Sequence, residues 1–446
     1  MLCEQVKSLG AIILVQAEKI KSLEEKTNFL INGRKSTTSS TPPSHDIGRP
    51  NTKNSRISKG IKSGGQVGHK GQTLEIKATA DETIEYAPAF CSNCGANIED
   101  VTGAISEYKQ EVVIPPVQAK YIDHVTFVKT CPCCKLLCKA GMPAHLKAPI
   151  QYGPNVVAAV CYMSVYQYLP YKRIAELMKD MYGVALSEGT IDNMLAGCMQ
   201  KALPAYEQIQ QKVQQSEVVG SDETGSRIAA KKGWFHVWQN TALTFIVASM
   251  NRGYQTIQQY FSDGFPQTIY ISDCWAAQLK TPALHHQLCM VHLIRELTNF
   301  EDALACKWSK AMKVLFQEAI HFKNGLIIAD YNTPHHDVKI FESRLAVLLG
   351  ESYEGKHQKV QAFHKRLLKN KEAIFTFLYH FNVPADNNGS ERAVRNIKVK
   401  TKVSGQFRTE DGAQRFAVLR SVVDTTIKNG KSVFEALTAL ANLAPA

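Results

Sequence analysis

The sequence has no apolar run near the roughly 18 residues that a bilayer-spanning helix needs. The stretch Ala11–Val15 is far too short and follows the acidic Glu4, which argues against a signal peptide. The chain is therefore expected to be cytoplasmic, with no membrane span. Acidic residues are the minority: 40 Asp and Glu face 52 Lys and Arg, leaving a net charge of +12 and a pI near 9.0. That deficit points to a polyanionic partner, either nucleic acid or an anionic membrane surface, with plain surface solubilisation as the alternative. Large apolar residues are scarce between Asn32 and Ala80, where nine Lys/Arg face two Asp/Glu. Such composition cannot bury a core and reads as a basic flexible linker over 32–80. Its centre, Lys62-Ser-Gly-Gly-Gln-Val-Gly-His-Lys-Gly71, can lie along phosphates because glycine lets a backbone approach closely, or can serve as linker alone. Twelve cysteines in a cytoplasmic chain argue against a disulfide framework, and where they pair up metal binding is the better reading.

The remainder is globular in composition, 44% hydrophobic, and at 446 residues long enough for several units. At the N-terminus Val6, Ile13, Ile20 and Thr27 share one heptad position, and Leu2, Leu9, Gln16, Leu23 and Leu30 the one three residues later. This predicts a coiled coil over 1–31 and a homo-oligomer through it, against the alternative of a lone amphipathic helix. Residues 81–148 read as strand-like and carry two Cys-x-x-Cys knuckles, Cys91/Cys94 and Cys131/Cys134. Each knuckle suits a turn aiming two thiolates at one tetrahedral ion, so one structural zinc is expected, with Cys133 and Cys138 as alternative ligands. Residues 149–215 read as helical. Helix, turn at Gly183 and a second helix capped by Ser187 form a helix-turn-helix-like pattern for DNA, or a hairpin that only packs.

From 216 to 296 short strands alternate with helices: strand to Gly220, strands Gly233–Gln239 and Leu243–Ser249, a helix near Gln255–Phe261, strand Gln267–Ser272, and a last one near His286–Met290. This is a mixed α/β unit. Residues 297–383 read as almost purely helical, and 384–446 as C-terminal helices. Three acids stand where chemistry would need them: Asp222 and Asp273 at strand ends, and Glu391 at a helix start. Two magnesium ions need carboxylates from different elements converging on one point, and keep several waters besides. Ten Lys/Arg against three Asp/Glu lie between Arg392 and Lys431. Arg392, Arg395, Lys398, Lys400, Lys402 and Arg408 beside Glu391 are expected to grip a DNA backbone without reading bases, against the alternative of a solvated helix face.

Several of these segments together resemble the transposases of insertion-sequence family 66. The matching pieces are Gly64-Gly-Gln-Val-Gly-His-Lys-Gly71, both knuckles, Ser221-Asp-Glu-Thr224, Ser272-Asp-Cys-Trp275, His286 to Leu297, Asn387-Asn-Gly-Ser-Glu-Arg-Ala-Val-Arg395 and Ser404-Gly-Gln-Phe407, in order along nearly the whole chain. The resemblance implies an RNase H-like core of the DDE type with a helical insertion before the last acid, and maps the three acids to Asp222, Asp273 and Glu391. It implies element-end and target double-stranded DNA as partners, and accessory proteins of the same element. The expected chemistry is strand cleavage and joining by in-line displacement, without a covalent intermediate, so neither Ser221 nor Thr224 is a nucleophile. Glu223 is expected to point away from Asp222, as neighbours on a strand do. His292 and Arg295 are expected as core residues or helpers at the site. Cys274 departs from the small residue expected after the second Asp. A catalytically inactive, zinc-containing DNA-binding regulator derived from a transposase is the alternative; it leaves three acids in matching motifs unexplained.

Overall fold

The computed structural model describes residues 10, 12–20, 23–24, 27, 71, 73–332, 336–352 and 354–443. Residues 12–20 are helical; most of the heptad seam and of the basic linker lies outside the described residues. The chain divides into two compact units, Lys53–Gln118 and the remainder. The cut falls within the expected 81–148 module. That stretch is also far less strand-like than its sequence suggested. In Lys53–Gln118 the pairing among described residues is an isolated bridge between Phe90 and Asn97. In the larger unit, β1 (Val128–Thr130) and β2 (Leu137–Lys139) pair over three residues as a small antiparallel hairpin before residue 154. Strands this short, exposed on both faces, have no core to bury and are held by their turns.

The larger unit is built on a five-stranded mixed sheet in the order β5-β4-β3-β6-β7. The strands are β3 (Val218–Ile228), β4 (Lys231–Gln239), β5 (Thr244–Ser249), β6 (Phe265–Ser272) and β7 (Ala283–Leu288). The first three form an antiparallel meander; β6 and β7 join parallel to β3 through short helices α4 (Tyr254–Tyr260) and α5 (Ala276–Lys280). The order of strands and helices matches the sequence reading. The length of β3 does not: it continues for six residues beyond Asp222, which therefore lies inside a strand rather than at its end.

Helices α1 (Pro154–Cys161), α2 (Tyr171–Tyr182) and α3 (Glu188–Gln214) precede the sheet. Their local signals are those read from sequence. Gly183 closes α2 in the left-handed conformation (φ 67°), and the Ser187 side chain accepts from the Thr190 N–H to cap α3. Ile191, Leu195, Cys198, Ala202, Tyr206, Ile209 and Val213 recur on one face of α3 and are all buried. They enter one apolar core with the sheet and with α10 (Asn388–Ser404), α11 (Glu410–Lys428) and α12 (Val433–Asn442). The helix-turn-helix-like segment is thus part of the sheet's core rather than a body of its own.

The free edge of β5 is covered. Its outward N–H groups at Thr244, Ile246 and Ala248 donate to side chains of Thr425, Ser421 and Gln414 on α11, and Tyr206 of α3 donates to the Ile246 carbonyl. This satisfies backbone groups that would otherwise template another strand. On the opposite edge, Thr376 donates to the His286 carbonyl, and the buried Gln287 amide bridges Ile374 and Phe377. These contacts tie the sheet to a second core. That core joins Ile269, Ile271 and Leu288 to α6 (Met290–Leu304), α7 (Lys307–Gly325), α8 (His336–Gly350) and α9 (Gln358–Lys369). Helix α6, the first of these, starts at Met290 directly after β7. Among the described residues no helix is long and apolar enough to cross a membrane.

Candidate active site

The last paired residues between the parallel strands β3 and β6 are Gly220 and Ile271. Asp222 and Asp273 each stand two residues further on. Side chains alternate along a strand, so both occupy the same face, where the two strands part beyond their last ladder bonds. A crevice that opens where neighbouring parallel strands part is where open α/β sheets bind ligands. The face is fixed by its neighbours: Ser226, four residues along from Asp222, meets Thr401 of α10 at 3.1 Å. Glu391 lies in the first turn of that same helix.

What docks α10 onto β3 is a polar cradle that the sequence reading missed. Asn387 donates through its side chain to the Ser221 carbonyl at 2.7 Å, and Ser390 donates to Asn387 Oδ1 at 2.6 Å. Gln239 of β4 donates to Ser390 Oγ at 3.3 Å and accepts from Lys428 at 2.8 Å. Gly220 and Gly389 give these side chains room. A Cβ on Gly389 would lie 2.5 Å from both the Gln239 nitrogen and oxygen. The cluster of small and amide residues around Glu391 was the available signal, since a run of Asn-Asn-Gly-Ser opens a helix only if something else holds its first turn.

The electrostatics at Asp222 are unbalanced. Burial, then Asp273, Glu223 and Glu391, hold its carboxyl well above the usual carboxylate range; only the Glu223 backbone N–H, 2.8 Å away, opposes them. Asp273 Oδ1 accepts from the Trp275 N–H at 2.9 Å. Glu391 sits beside two cations, Arg295 Nη1 at 3.3 Å and Arg395 Nη2 at 3.7 Å, with His292 Nε2 at 3.9 Å. The structure thus brings His292 and Arg295 to Glu391. Among the described residues no three His, Cys, Asp or Glu side chains are gathered closely enough to hold a metal ion. The donor chemistry nonetheless suits a hard divalent cation, because the Asp222 carboxyl offers oxygen donors and Asp273, Glu223 and Glu391 all act on it as like charges.

Cys274 packs against the helical core, and burial pushes its thiol up to about 12, so the departure at this position puts a neutral apolar group away from the carboxylate. Cys289 is buried and pushed up to about 12 as well; it accepts from the Asn387 N–H at 3.3 Å. It is a packing residue that links the end of β7 to the cradle. Glu223 points to the opposite face, as expected, and is bonded to Arg252 and Gln278.

The basic residues divide. Arg392, Arg395, Lys402 and Arg408 are exposed and Lys398 is half-buried. Lys400 corrects the sequence reading. It is buried, burial holds its ammonium down at about 8, and it donates to the Ser164 and Leu169 carbonyls. It fastens α10 to the preceding helices and has no reach for a phosphate.

The two cysteine knuckles, each within its own unit, have the same backbone. In the first, Cys91 N–H donates to Ala96 O at 2.8 Å and Gly95 N–H donates back to Cys91 O at 2.9 Å, with Gly95 at φ 72°. In the second, Cys131 N–H donates to Leu136 O at 2.8 Å and Lys135 N–H to Cys131 O at 3.0 Å, with Lys135 at φ 63°. Cys94 thus corresponds to Cys134, and Cys133 to the non-ligand Asn93. Backbone N–H groups of Cys94 and Asn93 draw the Cys91 thiol below its ordinary value, and those of Cys134 and Cys133 do the same for Cys131. A lowered thiol pKa favours the thiolate that zinc takes.

A family model described as Transposase IS66 family matches residues 149–415, a span that includes the sheet, the helical insertion and all three acids. The chain belongs to the transposase IS66 family. It is also similar to a protein of Sinorhizobium fredii described as uncharacterized protein y4hP, 23% identical over 392 residues, 77% of this chain and 68% of that protein. The knuckles lie before the stretch matched to the IS66 transposases, and α12 lies after it.

Proposed function

We propose that the chain is a DDE transposase with an RNase H-like core, which binds element-end DNA, cleaves it and joins the freed strand to target DNA. The observation that carries this reading is the placement of Asp222 and Asp273 at matching positions beyond the last pair of two parallel strands, with Glu391 on the helix covering that face. The strand order, an antiparallel meander extended by two parallel strands, supports the RNase H-like assignment.

Asp222, Asp273 and Glu391 would hold two magnesium ions, which when bound supply activation of a water or 3′-hydroxyl and stabilisation of the leaving oxygen. The chain's own residues supply the rest. Arg295 and His292 hold the Glu391 carboxylate, and the Asn387 cradle sets the helix that carries it. Arg392, Arg395, Lys398, Lys402 and Arg408 grip backbone phosphates; Lys400 is left out. Each knuckle, Cys91 with Cys94 and Cys131 with Cys134, offers a pair of thiolates of the kind a structural zinc takes. The N-terminal heptads would make the chain a homo-oligomer, and accessory proteins of the same element are further partners.

The test is strand cleavage and strand transfer on element-end DNA with magnesium. Asp222→Asn, Asp273→Asn and Glu391→Gln are each expected to lower cleavage by about a thousandfold or more, roughly 4 kcal/mol in the barrier, while DNA binding survives. Near-normal cleavage by any one of them removes that residue from the triad. Binding without cleavage by the unaltered chain favours a DNA-binding regulator.

A further inference from the structure

We propose that Arg252 is a positioning residue that braces Asp222 against Asp273; the inference rests on reading those two carboxylates as the reactive centre. The brace lies on the face of the sheet opposite the carboxylates. Arg252 donates to Glu223 Oε1 from Nε at 3.0 Å and from Nη2 at 2.7 Å. The same guanidinium stacks on Trp275 at 3.7 Å from the ring centre and on Trp234 at 4.7 Å. Glu223 and Trp275 are the residues whose backbone N–H groups hold the two acids: Glu223 N–H on Asp222 Oδ1 and Trp275 N–H on Asp273 Oδ1. One side chain therefore ties together the two backbone donors that orient the two carboxylates.

The surroundings make this tie rigid. Glu223 is buried, 4% exposed at its side chain, and its second oxygen accepts from Gln278 at 2.9 Å. The loop that carries Arg252 is fixed in turn. Asn251 N–H donates to Ser249, Asn251 Oδ1 accepts from Gly253, and the Asn251 carbonyl is bonded by His236 and Thr256. Only arginine meets the geometry, because a planar guanidinium can stack on an indole and donate two bonds to one carboxylate at once. A lysine would keep the charge opposite Glu223 and lose the stack. The arrangement gives a physical reason for a glutamate directly after the first Asp and a tryptophan two residues after the second.

Manganese binding to the full metal-free chain, followed by electron paramagnetic resonance, tests the brace without relying on activity. Arg252→Lys is expected to weaken binding by about tenfold or more, the range seen when a residue that orients a metal ligand is lost. The paired variant Glu223→Gln/Arg252→Gln removes both charges and is expected to bind as poorly. If Arg252→Lys binds manganese like the unaltered chain and only melts earlier, Arg252 is structural and the proposal falls. If the paired variant regains full affinity, Arg252 merely neutralises Glu223, and the proposal falls also. Asp222→Asn separates the two readings. Manganese binding that survives this change removes the triad and the brace with it, whereas loss in Asp222→Asn beside normal binding in Arg252→Lys removes the brace alone.

Discussion

Each cysteine knuckle closes on itself within six consecutive residues, while the acidic centre is assembled from a central strand, its parallel neighbour and a helix that follows a whole helical insertion. Cys94 and Cys134 are exposed and Cys91 and Cys131 partly so, and backbone N–H groups in the same turn favour the thiolates of Cys91 and Cys131. At the acidic centre, burial and like charges push Asp222 away from its ionised form. A local site needs few outside supports. A site made of distant elements needs a second set of residues to hold each element in place, here Asn387, Ser390 and Gln239 for the helix and Arg252 for the strands.

The largest effect that could break this contrast is on the knuckles. Cys94→Ser and Cys134→Ser are each expected to lower the zinc found in purified protein, whereas Cys133→Ser should leave it unchanged. Loss of zinc in Cys133→Ser would show that the two matching turns do not decide the ligand set. A pH experiment probes the other side, where burial is the largest cause acting on His236, whereas backbone hydrogen bonds outweigh it at Cys91 and Cys131. Burial lowers His236 to about 4 from an ordinary 6.5. The unfolded chain then binds more protons than the folded one between those values. Stability from this group is full above about 6.5 and is lost as pH falls toward 4, by at most about 3 kcal/mol. In urea titrations at pH 7 and pH 4.5, His236→Gln should lose less stability than the unaltered chain. An equal loss would mean that His236 is already neutral in the unfolded ensemble, or charged in the fold.

Sequence patterning reached furthest where its signals are local. The Cys-x-x-Cys turns, the Ser187 cap, the Gly183 stop and the alternation of β4 are each set by a handful of neighbouring residues. The start of helix α3 was legible from its cap, whereas the buried face that runs on past Pro204 to Val213 carries no such local mark. Strand β3 was cut short because Gly-Ser-Asp-Glu-Thr-Gly-Ser reads as a turn. It remains a strand because nine residue pairs with β4, Gly220↔Gln239 to Ile228↔Lys231, and the polar seam under α10 outweigh that local preference. Lys400 was misassigned for the same reason: a lysine within a basic run carries no mark of which helix face it occupies. The three acids could be picked out by motif, but the placement of Asp222 and Asp273 on one face of adjacent strands depends on a register between β3 and β6 that no spacing in the chain reveals.

The finest test of the contrast is a single methyl group at Gly389. Alanine is a better helix former than glycine, by roughly 1 kcal/mol, so a freely standing α10 would gain from the change. The cradle predicts the reverse. The added Cβ would lie 2.5 Å from the Gln239 amide, which is held between Ser390 and Lys428 and cannot swing aside without breaking those bonds. Gly389→Ala is therefore expected to cost roughly 1–3 kcal/mol of stability, the usual range for overpacking. Because the displaced element carries Glu391, cleavage should fall about tenfold even at temperatures where the variant is fully folded. Shortening the obstructing side chain should repair part of the damage, so Gly389→Ala/Gln239→Ser is expected to be more stable than the sum of its single changes by about 0.5 kcal/mol or more. A Gly389→Ala protein that melts higher and cleaves normally would mean that α10 does not rest on Gln239, and that Glu391 reaches the two aspartates by some other support.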